Sequence, residues 1–150
     1  LQWVTGDGEE PRQPTVEDVD DLEAAIAHVN AALVVVDPLV AYLGADVNTF
    51  RDQDVRRALS GLAELADRTG VAVVAIRHLN KSQGGKAKYR GGGSIGIIAA
   101  ARSALLVARD PDDPDGNRRI LATTKSNLPD HPPALAYIPE EVNNGAVRIS

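Results

Sequence analysis

Asp37 closes the run Ala32-Leu33-Val34-Val35-Val36 and is followed by Pro38. A continuous apolar, β-branched run ending in one carboxylate is how a buried parallel strand delivers an acid to its C-terminal edge, the edge outside which ligands gather in open α/β sheets. A carboxylate there can organise the water shell of a metal ion. A second apolar run, residues 71–77, ends at His78, whose neutral imidazole can hydrogen-bond a phosphate or a water. If the two strands are neighbours, Asp37 and His78 face one cleft. The third chemical feature is the loop from Asn80 to Gly93, which sets Lys81, Lys86, Lys88 and Arg90 among glycines that allow close backbone approach. Its charge seeks phosphate, and Tyr89 offers an aromatic face on which a base can stack. Lys81, Lys86, Lys88 and Tyr89 are accordingly read as nucleic-acid contacts. Arg90 carries a guanidinium able to reach across a subunit boundary and neutralise charge on a transferring phosphoryl group.

An absence is as telling. No G-x-x-x-x-G-K-[ST] loop, with which such an aspartate ordinarily cooperates, occurs in the chain. The nearest approach, Gly84-Gly85-Lys86, has Asn80 where the first glycine belongs and Ala87 where the Mg²⁺-binding hydroxyl belongs. Each residue also has a plainer reading: Asp37 as a turn starter before proline, His78 as a polar strand end, and the Gly/Lys loop as solvated surface.

The elements that must position these residues follow from periodicity. Residues 1–5 form a short strand candidate, followed by loop chemistry through Pro14. Thr15-Val16-Glu17-Asp18 fits a helix start, and Leu22, Ile26 and Val29 recur at helical spacing, predicting a helix to about His28. A strand over 33–36 follows. The spacing of Val55, Leu59, Leu62, Leu65 and Ala66 predicts a helix over 52–68, stopped by Gly70, and a strand over 71–77 comes next. Strands and amphipathic helices alternating with short connections imply α/β architecture, with a parallel sheet covered by helices on both faces. Beyond the basic loop, a short helix from Ser94 to about Ala101 is followed by strands over 103–108 and 119–124. These flank the Pro/Asp/Gly-rich stretch 110–117 and are expected to be antiparallel. A last hairpin is predicted between 135–138 and 146–149 through Asn143-Asn144-Gly145.

Composition bounds the answer. A chain of 150 residues, 43% hydrophobic and 25% charged, can bury the core of one compact soluble domain. A net charge of -5 argues against a protein that coats nucleic acid, while leaving room for one local basic loop. Without cysteine there are no disulfides, thiolate metal sites or thiol catalysis. No basic-then-apolar leader or long apolar run is present, so no membrane association is expected and the cytoplasm is the expected location. The chain begins Leu1-Gln2-Trp3 and has no methionine, which reads as an excised fragment.

Several motifs in order carry a resemblance: Leu33-Val34-Val35-Val36-Asp37-Pro38, Ile76-Arg77-His78-Leu79-Asn80-Lys81-Ser82, Tyr89-Arg90-Gly91-Gly92-Gly93-Ser94 and Lys125-Ser126-Asn127. Over practically its whole length the chain resembles the C-terminal part of an AAA-family ATPase of the RecA/RepA-like type, found in replicative plasmid helicases and in primase/helicase or mobile-element proteins of bacteria and phages. The resemblance implies a RecA-like P-loop NTPase core fragment: a single partial domain over 1–150, its parallel sheet flanked by helices and followed by antiparallel strands, with the phosphate-loop segment outside the chain. It implies that Asp37 is the Walker B aspartate, acting on Mg²⁺ through water in the parent protein, and that His78 is the polar sensor coupling γ-phosphate state to the following loop. Arg90 matches an arginine finger delivered to a neighbouring subunit, and Lys125 a second basic residue reaching that neighbour's phosphates. Many relatives carry arginine two residues after that lysine, where this chain has Asn127. The implied cofactors are ATP and Mg²⁺ in the parent, with none expected on the isolated fragment. The implied partners are DNA and further copies of the chain in a hexameric ring or filament. The leading expectation is an ATPase that moves or remodels DNA, itself silent as this fragment. The alternatives are a nucleotide-independent DNA-binding or assembly module and, less favoured, a metal-dependent phosphoester hydrolase using Asp37 and His78, for which the sequence supplies no dense carboxylate cluster.

Overall fold

The computed structural model describes residues 13–79, 95–129, 132–142 and 146–150, and the chain divides into two compact units, Leu1–Ala100 and Ala101–Ser150. The strand expected at 1–5 lies outside the described residues, as does the loop expected at 80–93.

In the first unit, α1 (Val19–Val29) ends at Asn30, whose left-handed backbone (φ 49°) turns its N–H back to the Ala27 carbonyl. This helix starts three residues later than the Thr15 signal suggests. The Asp18 carboxylate turns back to accept from the Thr15 N–H (2.6 Å) and hydroxyl (3.1 Å), so Thr15 and Asp18 close a separate turn ahead of the helix. The second helix, α2 (Asp52–Thr69), is bounded as its sequence predicts: Asp52 and Asp54 sit in the first turn, Arg68 in the last, and Gly70 (φ 74°) returns its N–H to the Ala66 carbonyl. It buries Val55, Ala58, Leu62 and Leu65 along one stripe. Gly61 is where α1 comes close, since a Cβ there would stand 2.8 Å from Val19 Cγ2.

Between and after the helices run β1 (Leu33–Val36) and β2 (Ala72–Ala75), paired in parallel from Leu33 opposite Ala72 to Val36 opposite Ala75. Alternate side chains divide the sheet's faces. Val34, Val36 and Val73 pack with both helices against a core centred on Leu39, Val55 and Leu65. Leu33, Val35 and Val74 on the other face are about half exposed, so among the described residues the cover expected on both faces is found on one. A 3₁₀ turn (Leu39–Tyr42) follows β1, and a short α3 (Gly96–Ala100) completes this unit.

The second unit is built from β3 (Ser103–Arg109), β4 (Arg119–Ser126) and β5 (Leu135–Tyr137), an antiparallel sheet in that order, and from a separate ladder of β6 (Pro139–Glu141) with β7 (Val147–Ile149). The expected last hairpin is corrected here. Residues 135–137 pair with β4, and the partner of β7 is the proline-led segment 139–141, where Glu140 stands opposite Arg148 and their side chains form an ion pair. Its Asn-Asn-Gly connection lies outside the described residues. In the β3–β4 turn, Asp110 is 8% exposed and accepts from the Asp112 N–H (2.9 Å) and Arg118 Nε, while Asp113 accepts from the Arg118 and Asp115 N–H groups. Among the described residues no helix is long and apolar enough to cross a membrane.

Candidate functional site at the parallel strand edge

Two backbone hydrogen bonds carry the β1–β2 pairing past the strand ends: Ile76 N–H donates to the Val36 carbonyl and Leu39 N–H to the Ile76 carbonyl, both at 2.8 Å. They fix the two chain exits side by side. Leu39, fully buried, anchors the β1 exit in the core. Asp37 and His78 therefore leave neighbouring strands at the same edge, with His78 Nε2 3.6 Å from Asp37 Oδ1. This is the juxtaposition the sequence made conditional on the strands being neighbours.

That distance is too long for a direct hydrogen bond. The side chains are 77% and 53% exposed, so both remain open to a ligand. The chemistry available is a carboxylate that accepts hydrogen bonds from metal-bound water and, beside it, an imidazole that contacts phosphate oxygen or water. Among the described residues no three or more histidine, aspartate or glutamate side chains gather to grip a metal ion. A single carboxylate of this kind can act on an ion through the ion's water shell. Arg77, between Ile76 and His78, is half-buried, and burial draws its guanidinium below the usual value while leaving it charged.

Arg90, Lys81, Lys86, Lys88 and Tyr89 lie outside the described residues. What is described is where that loop rejoins the fold. Asp52, at the start of α2, accepts a hydrogen bond from the Gly96 N–H at the start of α3 (3.2 Å). The sequence reading missed this tie, because helical spacing marks Asp52 only as a first-turn acid. Lys125 is the next-to-last residue of β4, half-buried, and its ammonium donates to the Ala101 carbonyl (2.5 Å). It belongs to the second unit.

With this geometry in hand, comparison with known proteins defines the class. The AAA domain family matches residues 3–84, more than half the chain, and the chain belongs to that family. Among solved structures, the chain is similar to one described as an ATPase domain, with a TM-score of 0.62 at 16% identity over 81% of this chain. The likeness is one of fold, the RecA-like α/β fold that the ordered motifs imply. The chain spans 48% of that domain's length. No curated protein matches.

Proposed function

We propose that the chain contributes the Mg²⁺-organising and phosphate-sensing edge of an ATP-hydrolysing site in a protein that moves or remodels DNA in the cytoplasm. The observation that carries the reading is the Asp37–His78 pair, open to solvent at the carboxyl ends of two adjacent parallel strands of a RecA-like fold. A phosphate-cradling loop is absent from the sequence, so that part of the site comes from outside these 150 residues. Mg²⁺, when bound with ATP, supplies charge neutralisation on the phosphates. Asp37 would hold that ion through its water shell. His78 holds a γ-phosphate oxygen or the attacking water by a hydrogen bond and passes the presence or loss of that phosphate to the segment after it.

Arg90 and Lys125 act on a neighbouring copy in a ring or filament. Arg90 lays a guanidinium against the transferring phosphoryl group, and Lys125 exchanges its Ala101 carbonyl contact for a phosphate oxygen. Lys81, Lys86, Lys88 and Tyr89 contact the DNA.

The reading is tested in a longer protein that includes the phosphate loop. Asp37→Asn is expected to cut Mg²⁺-dependent ATP turnover at least roughly tenfold with an unchanged melting temperature, because the side chain is more than half exposed and lies outside the core. Undiminished turnover contradicts the assignment. For Arg90, two inactive proteins are mixed, one carrying Arg90→Ala and one lacking its phosphate-loop lysine. Partial recovery of activity supports action in trans, and none from demonstrably co-assembled subunits refutes it. The 150-residue chain alone is expected to show no ATP hydrolysis.

A further inference from the structure

At the far end of the second unit's sheet, the register sets Arg109 directly opposite Arg119, and Arg119 directly opposite Tyr137. Residues directly opposite in an antiparallel ladder project from the same face, and like charges so placed destabilise the pair. Both side chains reach toward the turn at Gly116. Arg119 Nη1 donates to the Gly116 carbonyl (2.6 Å), and Arg109 Nη1 lies 3.5 Å from where a Gly116 Cβ would stand. Among the described residues no carboxylate pairs with either. Asp110 and Asp113, the turn's committed acids, are engaged with Arg118 and with backbone amides. A repulsive pair left unneutralised breaks a local rule of sheet construction, and such breaks concentrate where a ligand supplies the missing partner.

Two residues along, on the same face, Val107 stands opposite Leu121 and Leu121 opposite Leu135. Val107 and Leu135 are 56% and 60% exposed. With Tyr137, Ile149 and Ser150 these side chains line an open cavity of about 450 Å³. The face therefore runs from two guanidiniums, past a phenol ring, onto an apolar shelf.

We infer that this face binds a nucleotide unit, with phosphate oxygens on Arg109 and Arg119 and the base against Tyr137 and the Val107–Leu121–Leu135 shelf. Guanidinium forks match phosphate geometry. An aromatic ring beside them takes a base face-on, which requires the base to be unpaired, as in a single strand or a free nucleotide. An apolar protein segment would cover the shelf but leave the arginine pair repelling, so the charge favours the anionic aromatic ligand. The site lies outside the ATP-site reading, and its test involves no hydrolysis.

The experiment titrates the 150-residue chain into a fluorescently labelled oligothymidylate, followed by anisotropy, with photocrosslinking of a halogenated-uracil strand and mapping of the crosslinked peptide. The expected result is salt-dependent binding with a crosslink at Tyr137. That crosslink should survive in the triple variant Lys81→Ala, Lys86→Ala, Lys88→Ala, which separates this face from the basic loop. Arg109→Ala should weaken binding about tenfold and reduce the salt slope by about one, with a melting temperature equal to or above that of the parent chain because a like-charge contact is gone. Tyr137→Leu should weaken binding about tenfold and abolish the crosslink. Competition by thymidine monophosphate at equal nucleotide concentration identifies the ligand as a free nucleotide; competition only by the oligomer identifies it as a strand. Binding of neither ligand, crosslinks only elsewhere such as Tyr89, or a folded Arg109→Ala chain with unchanged affinity overturns the inference. An Arg109→Ala change that alters self-association but not strand binding also overturns it, and points to a protein interface.

Discussion

The two units are held together by different means. Among the described residues, every buried hydrophobic side chain lies between Val16 and Ile97, in the first unit, whereas the buried side chain of the second unit is the carboxylate of Asp110. The first unit closes around Leu39, Val55 and Leu65, and this leaves its strand edge free to carry Asp37 and His78 with both side chains open to solvent. The second depends on ladders and on a turn in which Asp110 and Asp113 accept from backbone amides and Asp110 also from Arg118. The contrast between Asp37 and Asp110 shows how to read a carboxylate: one with spare hydrogen-bonding capacity at a strand end is available for chemistry, while one that accepts from an amide and a guanidinium is part of the scaffold.

The sharpest way to break the comparison is by truncation. Leu65→Ala is expected to cost about 2–5 kcal/mol in chemical denaturation, as for fully buried leucines, whereas Leu106→Ala, half-buried in β3, should cost about 1 kcal/mol. Equal costs would mean that the second unit has a core of its own. Next, Gly61→Leu should destabilise by about 1–3 kcal/mol, because its side chain must enter the space held by Val19 Cγ2. A neutral effect would show that the two helices can separate without loss.

A smaller effect distinguishes the two kinds of carboxylate. Asp110→Asn should lower the melting temperature at neutral pH, and Asp37→Asn should not. The Asp112 amide, with Arg118 beside it, holds the Asp110 carboxyl below the usual carboxylate range, and the Arg118 amide does the same for Asp113. A depressed folded pKa gives a contribution that is complete above the unfolded value, about 3.9, and is lost as pH falls through the folded one. The melting temperature should therefore lose this contribution only below about pH 4, and the loss should be smaller in Asp110→Asn. A pH profile indistinguishable from the parent's would assign the turn's stability to other groups.

Much of the first unit was legible because its signals are local. The stripe of apolar residues before Gly70 fixes α2 almost to the residue, and the run before Asp37 fixes β1. The strand edge was legible too, since short α/β connections leave adjacent strands few alternatives. The end of the second unit was less so. Residues 135–138 alternate like a strand bound for the nearest hairpin, yet β4 claims 135–137, and it is 139–141 that pairs with β7, Glu140 opposite Arg148. Pro139 stands at the first position of its strand, a place proline tolerates, although the residue itself advertises a break. The Arg109–Arg119–Tyr137 row was invisible for the same reason: it exists only once the ladder's register is known.

Asp37 and His78 are expected to act as one site. This is tested most directly by a double-mutant cycle on ATP turnover in the longer, phosphate-loop-containing protein, comparing Asp37→Asn, His78→Ala and the double variant, each shown to be folded by its melting curve. Groups serving one reacting phosphate are strongly non-additive. The double variant should therefore fall little further than Asp37→Asn alone. Reductions that simply multiply, or a His78→Ala variant as active as the parent, would contradict the account.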